Sequence, residues 1–164
     1  MEKNPPFIQV SIKAQRLYYF DTGELLYTYP VSTAVKGAGE CRDSEKTPRG
    51  RHVVRARVGG GLPVNTVFVG RRPTGEIYSS ELAAMYPDRD WILTRILWLS
   101  GLEVGKNRLG DVDTMQRMIY IHGFPDDKPI GEPGSHGCIR MRNTDLIELF
   151  DITPVGTVVN IFEK

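Results

Sequence analysis

Phe7-Ile8-Gln9-Val10-Ser11-Ile12 alternates apolar and polar positions with a period of two, the spacing of a strand with one buried face. Arg16 to Phe20 continues in β-rich residues, Asp21-Thr22-Gly23-Glu24 has the composition of a turn, and Leu25 to Ser32 returns, which predicts an antiparallel meander. The small, polar run Lys36 to Lys46 reads as a surface loop and Thr47-Pro48-Arg49-Gly50 as a turn. His52 to Val58 then reads as a strand ended by Gly59-Gly60-Gly61. The stretch from Leu62 to Met118 is less periodic: Ser79 to Met85 fits one short helical turn, and the apolar run Trp91 to Leu99 is assigned as a strand because its neighbours are strands. Met118 to Ile121 predicts a strand that ends at His122-Gly123, Asn143-Thr144-Asp145 offers an N-cap for a short helix through Phe150, and Val155 to Phe162 closes the chain as a strand. The pattern predicts a mostly β fold with one or two short helices.

Composition narrows the class. A chain of 164 residues is the length of one domain, 1–164, with no repeat, low-complexity segment or linker to divide it. Hydrophobic residues at 40% and charged residues at 25% are those of a globular protein that builds its own core. Lys plus Arg at 21 against Asp plus Glu at 20 leaves a charge of +1, so no global field draws in nucleic acid or an anionic membrane. No stretch reaches the ~18 apolar residues of a membrane span, and the first residues lack the apolar run of ~7–15 that a secretory signal needs. The expectations are no nucleic-acid partner, no membrane span and a cytoplasmic location, with export only if a leader precedes this sequence. Of the two cysteines, Cys41 lies in the polar loop and reads as an incidental exposed thiol; both are assigned as free.

The other cysteine stands in a different context. His122-Gly123 is followed, after a loop containing Pro and Gly, by Ser135-His136-Gly137-Cys138-Ile139-Arg140-Met141. A thiol attacks as thiolate, which requires a lowered pKa from a neighbouring imidazole or from backbone N–H donors. His122 is placed to be such a base, and Gly134 and Gly137 give the backbone freedom to aim N–H groups at an oxyanion. A zinc site of His122, His136 and Cys138 lacks a fourth ligand and the paired spacing of structural zinc sites, so no metal or other cofactor is expected. Arg49, Arg51, His52, Arg55 and Arg57, with Arg71 and Arg72, read as a solvated basic face, and Tyr86, Trp91 and Trp98 as core.

These residues resemble a known family. Ile121-His122-Gly123 with Ser135-His136-Gly137-Cys138-Ile139-Arg140 is similar to the signature of the L,D-transpeptidase catalytic domain, or YkuD domain. Tyr29-Pro30-Val31-Ser32-Thr33 and Thr47-Pro48-Arg49-Gly50 resemble its first half, so the likeness spans roughly residues 7 to 162. The resemblance implies a single-domain β-sandwich acting on the stem tetrapeptide of peptidoglycan. Cys138 would attack the carbonyl between the third-position diamino acid and D-Ala, His122 would take the thiol proton, and the Gly123 carbonyl would orient the ring. The N–H groups of His136, Gly137 and Cys138 would form the oxyanion hole, and Ser135 and Arg140 would line the substrate site. Three readings follow: a cytoplasmic L,D-carboxypeptidase releasing D-Ala from recycled wall fragments, an exported L,D-transpeptidase forming cross-links, and an inactive binding module.

Overall fold

The alternation of the first residues sets the way the opening strand faces. In the computed structural model, which describes residues 4–164, Ile8 and Val10 of β1 (Phe7–Ser11) are fully buried while Phe7 and Gln9 between them reach the surface. β2 (Arg16–Asp21) and β3 (Glu24–Ser32) follow antiparallel, completing the expected meander. The remaining elements are β4 (Gly50–Val58), β5 (Thr66–Val69), β6 (Arg72–Ile77), α1 (Ser80–Met85), β7 (Leu93–Gly101), β8 (Tyr120–Phe124), β9 (Ile139–Arg142), α2 (Asn143–Ile152) and β10 (Val158–Phe162).

Neighbouring strands run in the order β4-β10-β1-β2-β3-β9-β8-β7, and β4 also pairs with β7, so the sheet closes on itself. The β5–β6 hairpin hangs outside this ring on β7. The sandwich expected from the sequence is therefore a closed, two-layered sheet. Its interior holds Ile8, Val10, Leu17, Val31, Val54, Leu97, Leu99, Ile121, Ile139, Met141 and Ile161, with Leu146 and Leu149 of α2 packed against them. Each such side chain contributes roughly 1.5–3 kcal/mol on burial, which makes this interior the main source of stability.

Four local expectations are corrected. Thr47 to Gly50 is extended rather than turned: Thr47 bridges Ala38 and the strand begins at Gly50. Met118 lies in a turn with φ 56°, so β8 starts only at Tyr120 and places His122 in mid-strand. Asn143 opens α2 but makes no capping bond; its side chain is buried and works elsewhere. Tyr86 is exposed, whereas Trp91 is 5% exposed and packs edge-on against Tyr78.

The basic run of β4 is not one solvated face. Arg51, Arg55 and Arg57 point outward, Arg57 stacking 4.1 Å over Phe150, while Arg49 pairs with Glu40 at 3.1 Å and Glu163 at 3.2 Å. His52 points inward with no exposure, its Nδ1 3.0 Å from Gly50 O and its Nε2 3.0 Å from Thr114 Oγ1. Burial pulls its pKa from 6.5 to about 4. The unfolded chain therefore takes up a proton that the folded chain refuses, so His52 lends stability above pH 6.5 that is lost as the pH falls toward about 4. The loss should approach roughly 3 kcal/mol at the acid end. Denaturant unfolding followed from pH 7 to pH 4 should show this decline, and a variant His52→Gln should show a shallower one.

Candidate functional site

Strand register brings the two halves of the motif together. β8 and β9 are parallel neighbours with Ile121 opposite Ile139 and His122 opposite Arg140. Because side chains alternate, Ile121, Ile139 and Met141 enter the core, while Tyr120, His122, Cys138 and Arg140 belong to the other face. The Cys138 thiol lies in the angle between them, accepting from Tyr120 N at 3.3 Å and donating to Met118 O at 3.4 Å. Cys138 is half-buried; Cys41, by contrast, is exposed in its loop.

The loop before Cys138 is fastened from below by segments the sequence placed far away. Thr33 O accepts from Gly134 N at 2.9 Å and Ser135 N at 3.0 Å, and Thr47 Oγ1 donates to Gly137 O at 2.9 Å. Thr33 and Thr47 are both fully buried. Arg117 clamps the neighbouring loop by donating to Gly39 O, Glu40 O, Ser44 Oγ and Lys46 O. Sequence reasoning missed these three residues as contributors; the signal for Thr33 and Thr47 was their place in the two segments resembling the family's first half.

Ser135 sits under this loop rather than facing a ligand. It is 2% exposed; its Oγ accepts from Gly137 N at 3.2 Å and donates to Cys138 O at 2.5 Å. Gly134 and Gly137 therefore do not offer free N–H groups here: the first is bound to Thr33 O and the second to Ser135 Oγ. The N–H groups of His136 and Cys138 meet no acceptor among the described residues, and these two are the donors open to an oxyanion. Gly137 has φ 132°, and a Cβ there would stand 3.2 Å from Ile119 Cδ1 and 3.3 Å from Lys46 O, so the position requires glycine. Ser135→Ala removes both bonds of the hydroxyl and strands buried partners, so a loss of about 1–3 kcal/mol in stability is expected. A fall of about tenfold in kcat with little change in KM should accompany it, because a sub-ångström displacement of the loop misplaces nucleophile and donors together. Melting and steady-state assays check both.

His122 is 1% exposed, and its Nδ1 lies 2.7 Å from Gly123 O. That bond fixes the ring with Nδ1 as donor, leaving Nε2 as the basic nitrogen. Gly123 has no room for a side chain: a Cβ would come within 2.3 Å of Asn143 Oδ1 and 2.6 Å of Leu93 O. Asn143 in turn donates to Asn65 Oδ1, Phe124 O and Asp126 Oδ1 and accepts from Thr94 Oγ1 at 2.5 Å. Thr94 is a β-branched residue at φ 76°, second in β7 where its register shifts, a conformation that costs about 1–3 kcal/mol. This buried polar hub wedges the backbone that aims the ring; Asn143, read from sequence as a cap, belongs to it.

Burial dominates the protonation of both the thiol and the ring. Burial pushes the Cys138 thiol up from 9.0 to about 12, outweighing the Tyr120 N–H, which favours thiolate, and Asp90 adds to the rise. Burial likewise draws His122 from 6.5 to about 4, against the pull of the Gly123 carbonyl. Burial thus works against the lowered thiol pKa expected from sequence. It favours the neutral form of each group, and low dielectric strengthens any charge-stabilising contact formed later.

Arg140 is 8% exposed, donates to Gly134 O at 2.7 Å, and lies 3.9 Å over the Phe124 ring. It also meets Asp90 Oδ1 at 3.0 Å; Asp90 was not singled out in the sequence because it sits in the aperiodic middle. A cleft of about 480 Å³ opens on this side. On the other side of His136 a second cleft of about 300 Å³ is lined by Arg42, Arg117 and Met118.

The profile of the YkuD family, described as the L,D-transpeptidase catalytic domain, matches residues 5–161. The ErfK/SrfK protein of Salmonella typhimurium is 31% identical over 160 residues, covering 96% of this chain and 44% of its own length. The YkuD protein of Bacillus licheniformis is 28% identical over 158 residues, covering 96% of this chain and 66% of its own. The chain thus spans about half to two thirds of these relatives. Among solved structures, L,D-transpeptidase 3 from Mycobacterium tuberculosis, in complex with a faropenem-derived adduct, shares the fold at a TM-score of 0.59 and 17% identity, over 96% of this chain and 60% of that one. With the profile matched from end to end of the closed sheet, the chain belongs to the L,D-transpeptidase catalytic domain family.

Proposed function

We propose that this protein is a cysteine acyl-transfer enzyme that cleaves the bond between the third-position diamino acid and D-Ala of peptidoglycan stem tetrapeptides. The observation that supports it is the placement of Cys138, immediately before β9 and against Tyr120 N of β8, the strand that carries His122 with its ring tied back to Gly123 O. In this reading His122 Nε2 takes the thiol proton as Sγ bonds to the carbonyl carbon. The carbonyl electron pair moves onto oxygen and is met by the N–H groups of His136 and Cys138, with that of Gly137 joining if it swings from Ser135 Oγ. Collapse expels the D-Ala amine, which takes the proton from His122, and leaves a thioester on Cys138. Ser135 and Arg140 hold the loop and the cleft wall.

The acceptor decides between hydrolysis and cross-linking. Water at ~55 M outcompetes dilute amines unless an amine is bound and oriented. We therefore read the protein as an L,D-carboxypeptidase releasing D-Ala from soluble fragments, and place it in the cytoplasm in the recycling of wall peptides. Wall cross-linking is the second reading, favoured by the transpeptidase family itself. The experiment supplies tetrapeptide with a surplus of D-amino acid or of a second stem peptide and separates the products. Tripeptide with free D-Ala as the main product supports the first reading. Dominant dimer or exchanged peptide replaces it with the second, and no product with an intact thiol removes the enzymatic reading.

A further inference from the structure

A third cleft, of about 570 Å³, is lined by Arg42, Arg71, Trp98, Met115, Gln116 and Met118. Among the described residues its lining thus holds two guanidiniums and no carboxylate, beside an indole and two thioethers. Two of its neighbours touch the nucleophile. Met118, in its wall, accepts from the Cys138 thiol at 3.4 Å through its carbonyl. Tyr120, whose N–H lies 3.3 Å from Cys138 Sγ, packs edge-on against Trp98 with ring centroids 5.9 Å apart. Arg71 reaches the cleft from the tip of the β5–β6 hairpin, where Gly70 and Arg71 both have positive φ, 56° and 64°, between the paired Val69 and Arg72. Such turns favour glycine or asparagine, so the backbone alone does not call for arginine here. Its side chain is anchored instead: the guanidinium stands 4.4 Å over the Trp98 ring, and Nη1 donates to Tyr120 Oη at 3.0 Å. The opposite edge, Nε with Nη2, meets no acceptor among the described residues, and neither Arg71 nor Arg42 is paired there with a carboxylate.

We propose that Arg71 is a substrate-binding residue whose free Nε–Nη2 edge receives a carboxylate carried by one of the two residues flanking the scissile bond. The assignment rests on the stem-peptide reading above. Two carboxylates qualify: the C-terminal one of D-Ala, and the side-chain one of a third residue that is diaminopimelate. The Nε–Nη2 edge is a planar fork that matches a carboxylate with two parallel hydrogen bonds. A guanidinium already stacked on Trp98 and tied to Tyr120 gives up little freedom when it binds, so more of the contact energy appears as affinity. Arg42 adds a second positive charge, and Trp98, Met115 and Met118 cover the alkyl part of the ligand. Tyr120 meets Arg71 through its hydroxyl and Cys138 Sγ through its N–H, so a carboxylate seated on Arg71 keeps the peptide within a side chain's reach of the thiol.

The test uses the full chain and three tetrapeptides: one with diaminopimelate and a free D-Ala carboxylate, one with that terminal carboxylate amidated, and one with lysine in place of diaminopimelate. On the first, Arg71→Gln should lower kcat/KM for release of the fourth residue at least about tenfold, mainly through KM, the scale of a charge-assisted hydrogen bond. Arg71→Lys, which keeps the charge without the fork, should restore part of it. The wild-type protein should already be slower by a similar factor on the peptide that lacks the carboxylate Arg71 receives, and Arg71→Gln should cost that peptide little more. The other modified peptide should still show the full loss, so the pattern names the carboxylate. Alkylation of Cys138 at high pH by a neutral reagent, located by peptide mapping, reports on thiol and fold separately and should be unchanged in both variants. Equal losses on all three peptides would make Arg71 only a support for Tyr120 and overturn the proposal. A wild-type protein indifferent to both carboxylates would overturn it whether or not the variants fold. If the wild-type protein cleaves none of the peptides yet is acylated by a carbapenem at Cys138, the stem-peptide reading fails and the assignment of Arg71 falls with it.

Discussion

Cys138→Ala should lose D-Ala release by about 10⁴-fold or more, the largest single effect expected in this protein, because the thioester pathway has no other atom to form it. The fold should survive. The thiol is half-buried and its hydrogen bonds are long, 3.3 and 3.4 Å, so little packing or polar pairing is lost. Intact-mass measurement gives an independent check. A carbapenem should add once to the wild-type chain, on the peptide containing Cys138, and not at all to the variant, since the strained lactam carbonyl takes the place of the scissile amide. The faropenem-derived adduct on the Mycobacterium tuberculosis relative is chemistry of the same kind on that protein. An adduct on Cys41, or undiminished turnover in the variant, would displace Cys138 from the mechanism.

His122→Ala should lower kcat by about 10³-fold, within the range that a positioned general base contributes. The pH dependence is more telling than the size. With its pKa drawn down to about 4, the wild-type ring stays neutral and able to accept a proton until the pH falls through that value, so the acid limb of kcat/KM should lie near 4 rather than near 6.5. A thiol pushed up to about 12 should react slowly with a small alkylating reagent at neutral pH, and faster as hydroxide takes over the deprotonation. Removal of His122 should therefore cut turnover at neutral pH by that factor while sparing alkylation at high pH. Rapid wild-type alkylation at pH 7 that the variant loses would instead reveal a preformed thiolate–imidazolium pair. Turnover unchanged in the variant would leave His136 as the base.

The sequence made the frame legible wherever a strand is amphipathic. β1, β2, β4 and β10 alternate in burial because one face of each is wet, and β3 is marked by the turn before it. The middle resisted for a physical reason. β7 is buried over most of its length and so shows an apolar run without periodicity, and β5 and β6 form a small hairpin outside the ring. Cys138, His122 and Gly123 could be singled out because a short motif concentrates them. What positions them could not: Thr33 acts through its backbone carbonyl, which has no residue code, and the side chains of Thr47, Arg117 and the Thr94–Asn143 hub reach partners across separations that only the fold closes. The influence of burial on the thiol is hidden for a related reason. A motif displays which groups are neighbours but not how much water they have lost.

β10 lies between β1 and β4, parallel to one and antiparallel to the other. The strand made last therefore joins the strand made first to the middle of the chain. On a ribosome releasing about 5–20 residues each second, the opening meander has several seconds in which its β1 edge has no partner. The ring cannot shut, nor can β4 be fixed on both sides, before residues 158–162 have emerged. Until then the nascent chain exposes a pairing-competent edge that holdase chaperones are suited to shield.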